Sequence, residues 1–120
     1  MKKVTVAAFN LKIDIKESKR KELILNAIKE FEFDIAVFPE LSINLTSRTD
    51  LFVKKILREC REQGKTIILG ARFRKFNSAF IFSEGRLFRY DKMHLSKNEK
   101  NKYKAGKKIL VVKMIVVQSE

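Results

Sequence analysis

The sequence predicts an α/β domain in which a parallel sheet, packed by helices, runs on into an antiparallel hairpin. Three observations carry this. Short β-branched apolar runs recur along the chain, two segments with helical apolar spacing separate the first three of them, and a Ser-Glu-Gly turn follows the fourth. Strands that alternate with helices in this way are joined by right-handed crossovers and lie parallel.

Each element has a local cause. Lys3 to Phe9 (Val4, Val6, Ala7, Ala8, Phe9) suits a buried strand ending at Asn10. Ser18 to Phe31 spaces Ile24, Ala27, Ile28 and Phe31 at i, i+3, i+4 and i+7, which places them on one helical face. Ile35 to Phe38 is a short apolar strand expected to stop at Pro39, which has no N–H for a ladder. Asp50 can cap a second helix that runs to about Gln63 and ends at Gly64, with Val53, Ile56, Leu57 and Cys60 as its apolar stripe. Thr66 to Phe73 is a further strand. Asn77–Phe82 and Arg86–Tyr90 flank Ser83-Glu84-Gly85 as a hairpin. Ile109 to Val117 is β-rich and is expected to form a last strand.

Composition narrows the function classes. The 120 residues are 45% hydrophobic and 34% charged, with 4 Gly and 1 Pro, which excludes a disordered, collagenous or low-complexity chain. A single cysteine excludes an internal disulfide framework and points to a reducing, cytoplasmic setting. No apolar run reaches the roughly 18 residues of a membrane span. The net charge of +13 is concentrated between Lys97 and Lys108, where six lysines meet one glutamate. Such a run can mark a nucleic-acid surface, but no exposed aromatics alternate with it to stack on bases. A solvated lysine-rich loop is the preferred reading, and a nucleic-acid partner the third-ranked one.

Four side chains are candidates for chemistry. Glu40 follows Phe38-Pro39 at the carboxyl end of a strand, where α/β sheets gather functional groups, and partial burial there would suit a general base. Lys92 follows the Arg86–Tyr90 strand and could hold a developing oxyanion. His94 lacks a second histidine or a carboxylate cluster at ligand spacing and reads as a structural hydrogen-bonder. Cys60 lies on the apolar stripe of the second helix, where a free thiol behaves as a small hydrophobe.

Taken in order, four segments resemble the nitrilase superfamily of carbon–nitrogen hydrolases. Asp34-Ile35-Ala36-Val37-Phe38-Pro39-Glu40-Leu41 looks like the block around the family's catalytic glutamate. Lys65 to Arg72 looks like the strand after its second helix. Asn77-Ser78-Ala79, then Gly85 and Tyr90-Asp91-Lys92-Met93-His94-Leu95, looks like the block carrying its lysine. Glu99 with Tyr103 and Gly106 looks like the block carrying a supporting glutamate.

The resemblance implies the first half of a four-layer α-β-β-α sandwich. It also implies a site with Glu40 as general base, Lys92 as the cation for the tetrahedral intermediate, and Glu99 as the second glutamate that orients site and substrate. The implied reaction is attack of a cysteine thiolate on a small amide or nitrile, through a thioester, with no metal or organic cofactor. An amide is the expected substrate. In the family the cysteine follows the lysine and the second glutamate, on an elbow of the form Gly-x-x-Ile-Cys-Tyr-Asp. Here no cysteine follows Lys92, and Cys60 falls between Glu40 and Lys92, in the wrong order. Residues 1–120 therefore read as an incomplete carbon–nitrogen hydrolase domain, inactive alone. It is expected to expose sheet surface that its second half would cover. A non-catalytic association module, pairing with itself or with a complementing C-terminal fragment, is the alternative.

Overall fold

The computed structural model describes residues 3–12 and 14–112. Five strands and two helices alternate as β1 (Val6–Ala8), α1 (Glu17–Glu30), β2 (Ile35–Leu45), α2 (Leu51–Gln63), β3 (Thr66–Phe73), β4 (Phe76–Ser83) and β5 (Arg86–Asp91). A one-turn 3₁₀ helix, Glu99–Asn101, follows. The strands lie in sequence order, with β1, β2 and β3 parallel and β3, β4 and β5 antiparallel.

That order decides where the helices go. Two right-handed crossovers stepping the same way across a sheet put both helices on the same face. Ile24 and Ile28 of α1 and Val53, Ile56 and Cys60 of α2 pack there against Ile67, Leu69, Phe80 and Phe82, all at most 1% exposed. The other face carries the alternate positions of the strands: Val6, Ile35, Val37, Ile68, Gly70, Ala79, Ile81, Phe88 and Tyr90. Val6 is 58% exposed and Val37 36%. The α/β class is as expected, but the described residues form two layers, helices on one sheet.

The helix ends follow local chemistry. The Asp50 carboxylate accepts the Phe52 N–H at 2.8 Å, and Gly64 closes α2 in the left-handed conformation at φ 63°. Lys65, 7% exposed, sends its ammonium to the carbonyls of Ile28 and Phe31 at 2.6 and 2.8 Å and so satisfies the end of α1. Glu84 and Gly85, both with positive φ, form the two-residue β4–β5 turn, the primed geometry that matches strand twist.

Four expectations change. The first strand is shorter than Lys3–Phe9. Phe31, expected in the buried stripe of α1, is 54% exposed and meets the Phe9 ring edge-on at 5.6 Å. The strand expected to stop at Pro39 continues to Leu45. It does so through a break in register between Phe38 and Ile43, so that Pro39 sits where no ladder N–H is required. Leu41 takes a positive φ of 55° within this bulge. Of the expected last strand, Ile109–Val112 has no regular secondary structure, and residues from 113 onward lie outside the described set.

Candidate active site

The bulge in β2 lifts Glu40 out of the ladder. Gly70 in β3 makes room for it: a Cβ at position 70 would fall on the Pro39 carbonyl oxygen and the Glu40 backbone. Lys92 is the first residue beyond β5. Its N–H donates to the Asn77 carbonyl at 2.8 Å, and its carbonyl accepts the Gly106 N–H at 2.9 Å. Gly106 is packed against the Asp91 carbonyl, where a Cβ would collide. Glu99 opens the 3₁₀ turn, held by reciprocal bonds with Ser96: the Ser96 N–H reaches Glu99 Oε1 at 3.1 Å, and the Glu99 N–H reaches Ser96 Oγ at 3.3 Å.

The structure brings the three sequence candidates together. Lys92 Nζ donates to Glu40 Oε1 at 3.1 Å and to Glu99 Oε1 at 2.9 Å. Glu40 is 58% exposed at the side chain, so burial does not set its environment as the strand-end reading supposed. Lys92 is 36% and Glu99 18% exposed. The Lys92 ammonium, Ser96 N–H and Asn77 amide hold the Glu99 carboxyl down at about 2. Hydrogen bonds to Glu99 and Glu40 push the Lys92 ammonium up, so it is a fixed cation and not a base at neutral pH.

Asn77, in β4, is the residue that sequence reasoning did not single out for the site. It is 2% exposed, and its Nδ2 donates to Glu40 Oε1 at 2.8 Å and to Glu99 Oε2 at 3.0 Å. The signal was its place in the Asn77-Ser78-Ala79 segment; what hid it is that its partners lie 37 and 22 residues away.

A pocket of about 360 Å³ opens beside this cluster on the face turned away from the helices. Ile68, Gly70, Ala79 and Tyr90 form its floor, with Glu40 and Lys92 at its rim. A second, apolar pocket of about 330 Å³ adjoins it, bounded by Ile68, Ala79, Ile81, Tyr90, Leu110 and Val112. An apolar cleft with a carboxylate and an ammonium at one end suits a small, neutral, polar-headed molecule.

The remaining candidates lie apart. Cys60 is 1% exposed on α2, on the opposite face of the sheet, and burial pushes its thiol up to about 12, which leaves it without nucleophilic character. His94 is exposed and makes no hydrogen bond among the described residues, so it is not the structural hydrogen-bonder expected. All six lysines between Lys97 and Lys108 are exposed. No helix among the described residues is long and apolar enough to cross a membrane.

The fold, a mixed sheet with two helices on one face, is also that of solved carbon–nitrogen hydrolases. The chain superposes on a CN-hydrolase superfamily protein from Xanthomonas campestris, whose active site carries an arsenic adduct, with a TM-score of 0.71 at 19% identity. The match covers 92% of this chain and 48% of that one. A carbon–nitrogen hydrolase from Helicobacter pylori matches with a TM-score of 0.65 at 18% identity over 87% of this chain and 45% of its own. An amidase from Neterenkonia sp. matches with a TM-score of 0.66 at 16% identity over 88% and 51%. The likeness is one of fold, and the chain spans about half the length of these structures. No family model matches the sequence. No curated protein matches it either.

Proposed function

We propose that residues 1–120 form the glutamate–lysine part of a carbon–nitrogen hydrolase site for small amides, an incomplete domain that is inactive until a cysteine is supplied to it. The observation that supports this most directly is the convergence of Glu40, Lys92 and Glu99, drawn from β2, the end of β5 and the 3₁₀ turn, beside an apolar pocket. In this reading Glu40 takes the proton of an incoming thiol. The thiolate attacks the amide carbon, and Lys92 faces the oxygen on which negative charge collects. Glu99 keeps Lys92 charged and aimed. The leaving amine takes the proton back from Glu40, and water then hydrolyses the thioester, with Glu40 again as base. A reducing cytoplasm suits such a site.

The cysteine would come from a complementing segment seated on the face turned away from the helices, where the pocket lies. The chain alone should release no ammonia from amides. Mixed with a cysteine-bearing C-terminal half of a carbon–nitrogen hydrolase, it should do so, and Glu40→Gln should lower that rate by about 10²-fold or more. Turnover by the isolated chain that survives Glu40→Gln would overturn the assignment.

The exposed apolar face supports one other reading, a non-catalytic module that associates through its sheet. Light scattering separates the two: a monodisperse monomer that gains activity only on complementation favours the first reading. A stable self-assembled particle indifferent to the C-terminal half favours the second.

A further inference from the structure

Glu40 and Glu99 are two carboxylates sharing one lysine, and left alone they would repel and swing apart. Asn77 is placed against both. Its Nδ2 carries two hydrogens, and one reaches each carboxylate, Glu40 Oε1 at 2.8 Å and Glu99 Oε2 at 3.0 Å. Its main-chain carbonyl receives the Lys92 N–H, so a single strand residue ties all three members of the site. Burial at 2% exposure and a place in the β4 ladder, opposite Arg72, give it little freedom to move.

We propose that Asn77 is a positioning residue that turns the Glu40 carboxylate so that Oε1 is held and Oε2 is the oxygen that takes the proton. Oε1 accepts from both Asn77 Nδ2 and Lys92 Nζ, whereas Oε2 has no hydrogen-bond partner among the described residues. The residue type matters. An ionised aspartate of the same shape would bring a third negative charge and no donor. A serine offers one hydrogen where two are used, and a glutamine is one methylene too long. The inference rests on the reading of Glu40 as a base for its chemical purpose, but its geometry can be tested without turnover.

The test is carbon and nitrogen side-chain NMR on the full 120-residue chain. In Asn77→Ala the Glu99 carboxyl midpoint should rise by about one pH unit, because a donor to its charged form is lost. In the otherwise unaltered chain at neutral pH, Glu40→Gln should shift one Asn77 Nδ2 proton and Glu99→Gln the other. An unchanged Glu99 midpoint in folded Asn77→Ala would overturn the proposal. So would Asn77 amide protons indifferent to both glutamine replacements, a result that decides the matter if Asn77→Ala does not fold. Once a cysteine half is supplied and turnover is measurable, Asn77→Ala should lower kcat about tenfold or more and leave KM within about twofold. An undiminished kcat would overturn it. Absence of any turnover would count against the hydrolase reading and leave the NMR result standing.

Discussion

The two faces of the sheet obey different rules. On the helix side, Ile67, Leu69, Phe80 and Phe82 are fully buried. On the other side their immediate neighbours in sequence, such as Ile68 and Ile81, are only half-buried, and Val6 and Val37 stand in solvent. One face supplies the cohesion of the domain; the other carries the pocket and the charged cluster at its rim. Adjacent residues of one strand therefore serve stability and chemistry separately, because side chains alternate across a pleated sheet.

The largest expected effect tests that division. Phe80→Ala should cost about 3–5 kcal/mol, as truncation of a buried aromatic leaves a cavity. Val6→Ala, on the face turned away from the helices, should cost under about 0.5 kcal/mol. Urea unfolding monitored by circular dichroism compares them, and equal costs would mean that the outer face is covered in solution.

A middle-sized effect joins the two faces at the bulge. Gly70→Ala should destabilise by about 1–3 kcal/mol, since the new methyl meets the Pro39–Glu40 backbone. It should also separate Glu40 from Lys92 while leaving the Lys92–Glu99 pair in place. A crystal structure of the variant with the Glu40–Lys92 distance still near 3.1 Å would contradict this.

The smallest effect is electrostatic and belongs to the open rim alone. The folded Glu99 carboxyl titrates near 2 against an ordinary 4.5. Its contribution to stability is therefore complete above about 4.5 and is lost as pH falls towards about 2. Glu99→Gln should flatten that part of the stability curve and lower the neutral plateau, where the ionised carboxylate contributes in full. An acid limb of the same slope in both chains would show that other carboxyl groups set it.

Much of this was legible in one dimension. Asp50 and Gly64 bound α2 because a cap acts within three or four residues, and the Glu84-Gly85 turn is equally local. Glu40 and Lys92 could be named because each follows an apolar run that reads as a strand, and Glu99 because its spacing to Tyr103 and Gly106 resembles a block of the nitrilase superfamily. Pro39 misled, since a proline normally ends a ladder. Only the pairing of Ile43 with Ala71 shows that the strand resumes beyond it. Asn77 went unnoticed as a site residue because its bonds cross 37 and 22 positions of chain.

The sequence by itself determined the order of strands and helices, the buried stripe of α2 and the absence of any cysteine after Lys92. These depend on periodicity, local capping and composition. Tertiary structure alone decided that both helices share one face, that Gly70 admits the bulge, and that one asparagine joins two glutamates to a lysine. The reason is physical: crossover direction, strand register and a hydrogen bond between distant residues exist only once the chain has closed upon itself.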